Sequence, residues 1–179
     1  MNPDIVLGFW FEELRPPQWW RQDPALDRTV AQRFGKLHGR AVQGELFDWR
    51  KQARGRLAEI LVLDQFSRHI HRDTALAFAA DPMALALAQE ALPAGAAAQL
   101  VPAQRAFLYM PFMHSESARI HDIAMALFSE PGLEANLESE REHKAIIDRF
   151  GRYPHRNRAL GRTSTAEERE FLRERGLPG

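Results

Sequence analysis

The chain contains no cysteine. This excludes disulfide staples, a thiolate nucleophile and cysteine-ligated zinc. It has no excess of either charge: 24 Lys and Arg face 24 Asp and Glu, a formal net charge of +0. No global field therefore draws it to nucleic acid or an anionic membrane. With no recognisable nucleic-acid module, that partner class ranks behind the readings given below. Long apolar runs are also missing. Ile5–Phe11 is interrupted by Glu12 and Glu13, and Met1-Asn2-Pro3-Asp4 lacks the cationic start of a signal peptide. The expectation is a cytoplasmic protein with no membrane partner. Gly35, Gly39 and Gly44 do not form a phosphate-cradling loop. β-Branched residues are sparse, which leaves little to build strands from.

What is present is helical periodicity in a chain of 179 residues, 45% of them hydrophobic. That amount supports one domain with a sizeable core, so residues 1–179 are read as a single all-α domain. Apolar residues recur at three- and four-residue spacing. Asn2 followed by Pro3 opens a first helix that stops before Pro16-Pro17, and Asp23 followed by Pro24 opens a second. The second helix aligns Leu26, Val30, Phe34, Leu37 and Ala41 and ends near Gly44. Asp48 is expected to cap a third, turning Leu57, Ile60, Leu61 and Phe66 to the core. Thr74 and Asp81-Pro82 start two short pieces, and Pro93-Ala94-Gly95 stops them. Pro102 opens a helix that Pro111 should kink or end. Ser117–Phe128 follows. Leu133–Phe150 is the expected longest helix, closed by Gly151, and Thr165 with Glu168 forms a capping box for the last. Seven to nine helices in antiparallel pairs is the economical architecture.

Several long words in this order resemble one family. They are Phe9-Trp10-Phe11, Leu63-Asp64-Gln65-Phe66-Ser67-Arg68, Ala77–Pro82, Phe107–Glu116, and Arg149–Asn157 followed by Leu160-Gly161-Arg162 and Ser164-Thr165. Their sequence and order are similar to the bacterial domain of unknown function 924 family, nearly end to end. The resemblance implies an all-α, tetratricopeptide-like helical array and brings no activity with it. Ser67, His69 and His71 stand where proline, asparagine and an aromatic are commoner in that pattern. Ser117–Asp122 replaces a more acidic segment.

Three constellations can carry chemistry. The first is the irregular segment that follows Gly151, where Arg149, Arg152, Arg156, Arg158 and Arg162 gather around His155 and Asn157 without a lysine. The planar donor fork of arginine suits carboxylate and phosphate, which points to an anion pocket. The bland alternative is that these arginines satisfy loop carbonyls and pair with acids, of which Glu130–Asp148 offers many. The second is Asp64-Gln65 with Arg68, four residues apart on one helix face. It is either a polar cavity or a structural pair worth about 0.3–0.5 kcal/mol if exposed. The third is His114-Ser115-Glu116, an acid–base inventory that needs converging geometry to act.

Metal signals are weak. His69-x-His71, His114 with His121, and His121-Asp122 complete no recognised ligand set, so neither metal nor cofactor is expected. Trp10, Trp19, Trp20 and Trp49 read as core and corner packing. The leading function is a helical binding protein for a small anionic ligand or an acidic peptide end. Its candidate contacts are Asp64, Gln65, Arg68, His114, Ser115, Glu116, Arg152, His155, Arg156 and Asn157. An enzyme with a hydrolase-like pocket of Asp64, Gln65, Arg68, His114 and Glu116 is the alternative. A protein-interaction scaffold without a small-molecule site is the third.

Overall fold

A computed structural model describes residues 2–177. Those residues are helical and contain no strand, as the periodicity requires, and no helix among them is long and apolar enough to cross a membrane. The backbone divides into two compact units. One runs to Arg72 and then over Leu76–Pro111; the other takes Asp73–Ala75 and the chain from Phe112 onward.

In the first unit, α1 (Pro3–Gly8) starts as expected, with the Asn2 side chain accepting from the Asp4 backbone N–H. It continues into a π-helical turn, Phe9–Glu13, that the apolar pattern does not announce. Pro16-Pro17 does more than end the preceding helix. It opens α2 (Pro16–Trp20), where the fixed proline φ and the Gln18 side chain at the Arg15 N–H suit a first turn. Asp23 caps α3 (Pro24–Val42). At 19 residues α3 is longer than the 17-residue helix expected to be longest. Its stripe Leu26, Val30, Phe34, Leu37 and Ala41 is buried.

Asp48 is not a cap. Its side chain is taken by Lys51, inside a 3-10 turn, Phe47–Lys51, and α4 (Ala53–Leu61) begins after Gln52 without a side-chain cap. α4 runs through a second π-helical turn, Val62–Phe66, into α5 (Ser67–Ile70). A short 3-10 turn, Ala75–Ala77, precedes α6 (Asp81–Ala91). Phe9, Phe34 and Phe66 meet in the core, Phe34 and Phe66 with ring centroids 4.8 Å apart. Trp10 is buried beside them, whereas Trp20 lies stacked on Phe107 with much of its face exposed.

Pro111 neither ends nor breaks α7 (Pro102–Met113). It falls in the final turn, where one backbone donor is lost and only two helical residues follow. The second unit holds α8 (Ala118–Phe128), α9 (Glu134–Phe150) and α10 (Ala166–Glu174). The short connection makes α8 and α9 a packed antiparallel hairpin. Gly151 ends α9 at φ 69°, a left-handed conformation that a side chain would strain. Beyond it a turn around Pro154–Arg156 brings Tyr153 against Ile146, Ile147, Phe171 and Leu172, the core of this unit. The Thr165–Glu168 capping box forms as expected.

Candidate functional site

The candidate residues fall in both units. In the first, Asp64 and Gln65 sit in the π-helical turn that joins α4 to α5, and both are buried. A π turn disturbs the regular pairing of carbonyls, and here side chains take them up: Ser67 Oγ donates to the Leu63 carbonyl and Arg68 to that of Asp64. The amide of Gln65 donates to Asp64 Oδ2 at 2.6 Å. Arg68 reaches Asp64 Oδ1 at 3.2 Å and grips Asp81, at the start of α6, through two bonds of 2.9 Å. The structure thus brings Asp64, Gln65 and Arg68 together with Asp81, which the motif did not include. This clamp between helices is partly buried, with Asp64 fully so, and the small value of an exposed pair does not apply to it. Beside it, Asp27 accepts from Arg72 and pairs with His69, while His38 bonds Ser67.

In the second unit the arginine-rich segment is fastened almost donor by donor. Arg152 makes a two-bond pair with Glu168 and donates to the Thr163 carbonyl. Arg162 grips Glu116 through 2.7 and 2.9 Å bonds and also reaches Asn157 and the Tyr153 carbonyl. Arg149 pairs with Glu167, Arg156 donates to the His114 carbonyl, and Arg158 is exposed. The acids that pair with Arg149, Arg152 and Arg162 are Glu167, Glu168 and Glu116. Glu130–Asp148, expected to supply them, contributes none of these pairs.

Glu168 is the hub. Its carboxylate takes Arg152, the Thr165 N–H and Asn157, and these hold it down at about 2, with hydrogen bonding to Arg152 the largest cause. A lowered folded-state value means that the bonus is complete above the unfolded carboxylate range and is lost as pH falls. Stability should therefore drop by about 1–2 kcal/mol between roughly pH 4.5 and 2, allowing for the solvent that reaches Arg152. Glu168→Gln should flatten that part of the urea-stability profile. An unchanged profile would show that the pair contributes nothing.

Tyr153 gathers the remaining groups. Its N–H donates to Glu116 and its hydroxyl to the Met113 carbonyl at 2.6 Å. The Arg156 guanidinium lies 4.7 Å over its ring, and the rings of His143 and His155 stand 5.7 and 5.4 Å from it. His121, fully buried, bonds Glu140 through Nδ1 and the Ser115 carbonyl through Nε2, which is 3.2 Å from the Tyr153 hydroxyl. Burial lowers His143 and His155 below the ordinary imidazole range, His155 to about 4. For His155 the charge of Arg156 and the nearness of His143 and His114 add to that effect, opposed by Glu116. Glu116 is pushed up by burial, but Arg162 and the Tyr153 N–H outweigh this and keep it below its usual value.

His114, Glu116, Arg156 and His155 thus share one neighbourhood, with Ser115 contributing its carbonyl and Asn157 bridging Arg162 to Glu168. The sequence reading passed over Tyr153, Glu140 and His143. A signal existed: Glu140 and His143 lie on the face of α9 that carries Ile147, and a carboxylate on an apolar stripe needs a buried partner. No group of three or more potential metal ligands occurs among the described residues.

A family model described as a bacterial protein of unknown function, DUF924, matches residues 6–176. A solved structure of a protein of unknown function from Agrobacterium tumefaciens is similar at 37% identity and a TM-score of 0.91. The match covers 96% of this chain and 97% of that one. No curated protein matches the chain.

Proposed function

Since the chain belongs to the DUF924 family of bacterial proteins, whose description names no activity, we propose a function from its own side chains: it is a helical binding protein that holds a small oxyanion, phosphate or carboxylate, on the second unit. The observation that carries this is the gathering of His143, His155 and Arg156 around Tyr153, with His114 close to His155. The Arg156 guanidinium supplies positive charge and the imidazoles supply hydrogen-bonding nitrogens, and an oxyanion is held by that charge and by accepting bonds. His114 and His143 are half-buried and His155 keeps an exposed edge, so a ligand can reach them. Arg152, Glu116 and Asn157 serve as the frame. A tetratricopeptide-like scaffold fits this role, with the α8–α9 hairpin presenting the loop. An enzyme pocket of Asp64, Gln65, Arg68, His114 and Glu116 has less support, because Asp64, Arg68 and Glu116 are already engaged by Gln65, Asp81 and Arg162.

The test follows His155 by NMR through a pH titration, with and without phosphate or succinate. An oxyanion within contact range should raise the His155 value by about one pH unit. The paired variant His143→Ala with His155→Ala should lose the protection against heating that phosphate gives the wild type. These two side chains are preferable to Arg152 and Arg156 because they are not fastened into the frame. An anion that leaves the His155 titration unmoved would overturn the reading and favour a scaffold without a small-molecule site.

A further inference from the structure

The first unit contains a cleft of about 310 Å³ between the end of α3 and the stretch that precedes α6. Val42, Leu76, Ala79 and Ala80 give it apolar walls, Gly39 and Gln43 lie along the α3 side, and His38 and His71 complete the lining. No charged side chain of Asp, Glu, Lys or Arg lines it. Val42 and Leu76 remain 48% and 57% exposed, a considerable apolar area to leave facing water at one place.

His38 is the chemically specific part of this wall. It is 7% exposed and its Nε2 lies 2.7 Å from Ser67 Oγ. Ser67 has one hydroxyl proton and donates it to the Leu63 carbonyl, so towards His38 its oxygen is the acceptor. Nε2 of His38 must then carry the ring proton. In the neutral imidazole this leaves Nδ1 with a lone pair, a tautomer fixed from behind by a buried hydroxyl. Burial, and then the neighbouring His71 ring 5.2 Å away, lower His38 below the ordinary imidazole range, which keeps it neutral at pH 7.

We propose that this cleft binds a small, uncharged, largely apolar molecule carrying one O–H or N–H donor. The donor bonds His38 Nδ1, and the hydrocarbon part covers Val42, Leu76, Ala79 and Ala80. An ion is disfavoured because no opposite charge lines the walls to offset its desolvation. A purely hydrocarbon ligand leaves the imidazole lone pair unpaired and is the weaker binder. The site is separate from the oxyanion reading and stands whether or not that reading does.

The probe is phenol, compared with toluene, which has similar size and no donor. In protein carrying 15N-labelled histidine, phenol should shift His38 saturably and bind about tenfold more tightly than toluene, the worth of one well-placed hydrogen bond. Ser67→Ala should release the tautomer, seen as mixed Nδ1–H and Nε2–H signals for His38, and cut the preference for phenol severalfold while toluene binds as before. Ala79→Trp, at an exposed position, fills the cleft without disturbing the core and should abolish binding of both probes. Equal affinity for phenol and toluene, no saturable shift of His38, an Nδ1–H tautomer in the wild type, or undiminished binding by Ala79→Trp would each overturn the proposal.

Discussion

Gly55→Ala is expected to destabilise the protein by about 3–5 kcal/mol, beyond the usual cost of overpacking, because the clash is with backbone. A Cβ at Gly55 would stand 2.0 Å from the Trp49 carbonyl oxygen and 2.8 Å from its carbon. Neither atom can rotate away. The 3-10 turn Phe47–Lys51 lies directly on the first turn of α4, and only a hydrogen atom fits between them. Relief requires the turn to lift, which also draws Arg50 away from Glu59. That pair is joined by two 2.7 Å bonds, and Glu59 is fully buried. A buried carboxylate that loses its guanidinium is costly, so the two losses compound. Gly35→Ala is the control. Nothing lies within 4 Å of its Cβ position on α3, so it should stabilise by about 0.5–1 kcal/mol through helix propensity. Urea midpoints at constant m-value measure both. A Gly55→Ala midpoint equal to the wild type would mean that the turn is free to move.

Gly55 also marks where sequence reading stops. Nothing local distinguishes it from Gly35, since both are glycines inside helical periodicity and only the chain folding back separates them. The caps behave differently. Asn2, Asp23 and the Thr165–Glu168 box were legible because cap and helix are sequence neighbours. Asp48 misled for the same local reason: Lys51 competes for it three residues on. The π turns Phe9–Glu13 and Val62–Phe66 were not legible, because one extra residue per turn barely disturbs an apolar stripe. In the second unit the arginines were visible but their acceptors were not. Arg152 meets Glu168 across 16 positions and Arg162 meets Glu116 across 46, and no spacing rule spans such separations. Which arginine fastens the loop was therefore undecidable from spacing alone.

Glu140 is the clearest case of a residue whose weight comes from tertiary packing alone. Glu140→Ala is expected to cost about 3–5 kcal/mol, the range for breaking one side of a buried pair. Glu140 and His121 are both fully buried and 2.6 Å apart, and they tie α9 to α8. Both nitrogens of the His121 ring face oxygen acceptors. Nδ1 faces Glu140, and Nε2 faces the Ser115 carbonyl, with the Tyr153 hydroxyl nearby and its own proton committed to Met113. The Glu140 carboxylate supplies the oxygen that Nδ1 faces. Removing the carboxylate leaves a doubly hydrogen-bonding ring in an apolar interior with one edge unpaired. Oε2 of Glu140 already has no hydrogen-bond partner, so Glu140→Gln, which keeps an acceptor for Nδ1, should cost less, about 1–2 kcal/mol. The double variant His121→Phe with Glu140→Leu removes both polar partners and should recover much of the loss, giving a coupling energy of about 2 kcal/mol or more in a double-mutant cycle. Strict additivity would sink this account, because it would mean that the two groups do not sense each other. Since His121 also anchors the Ser115 carbonyl beside His114 and Glu116, Glu140→Ala should broaden the NMR signals of His114 and His155 even at temperatures where the protein stays folded. A change confined to stability, with those signals sharp, would separate the pair from the surface that it is argued to position.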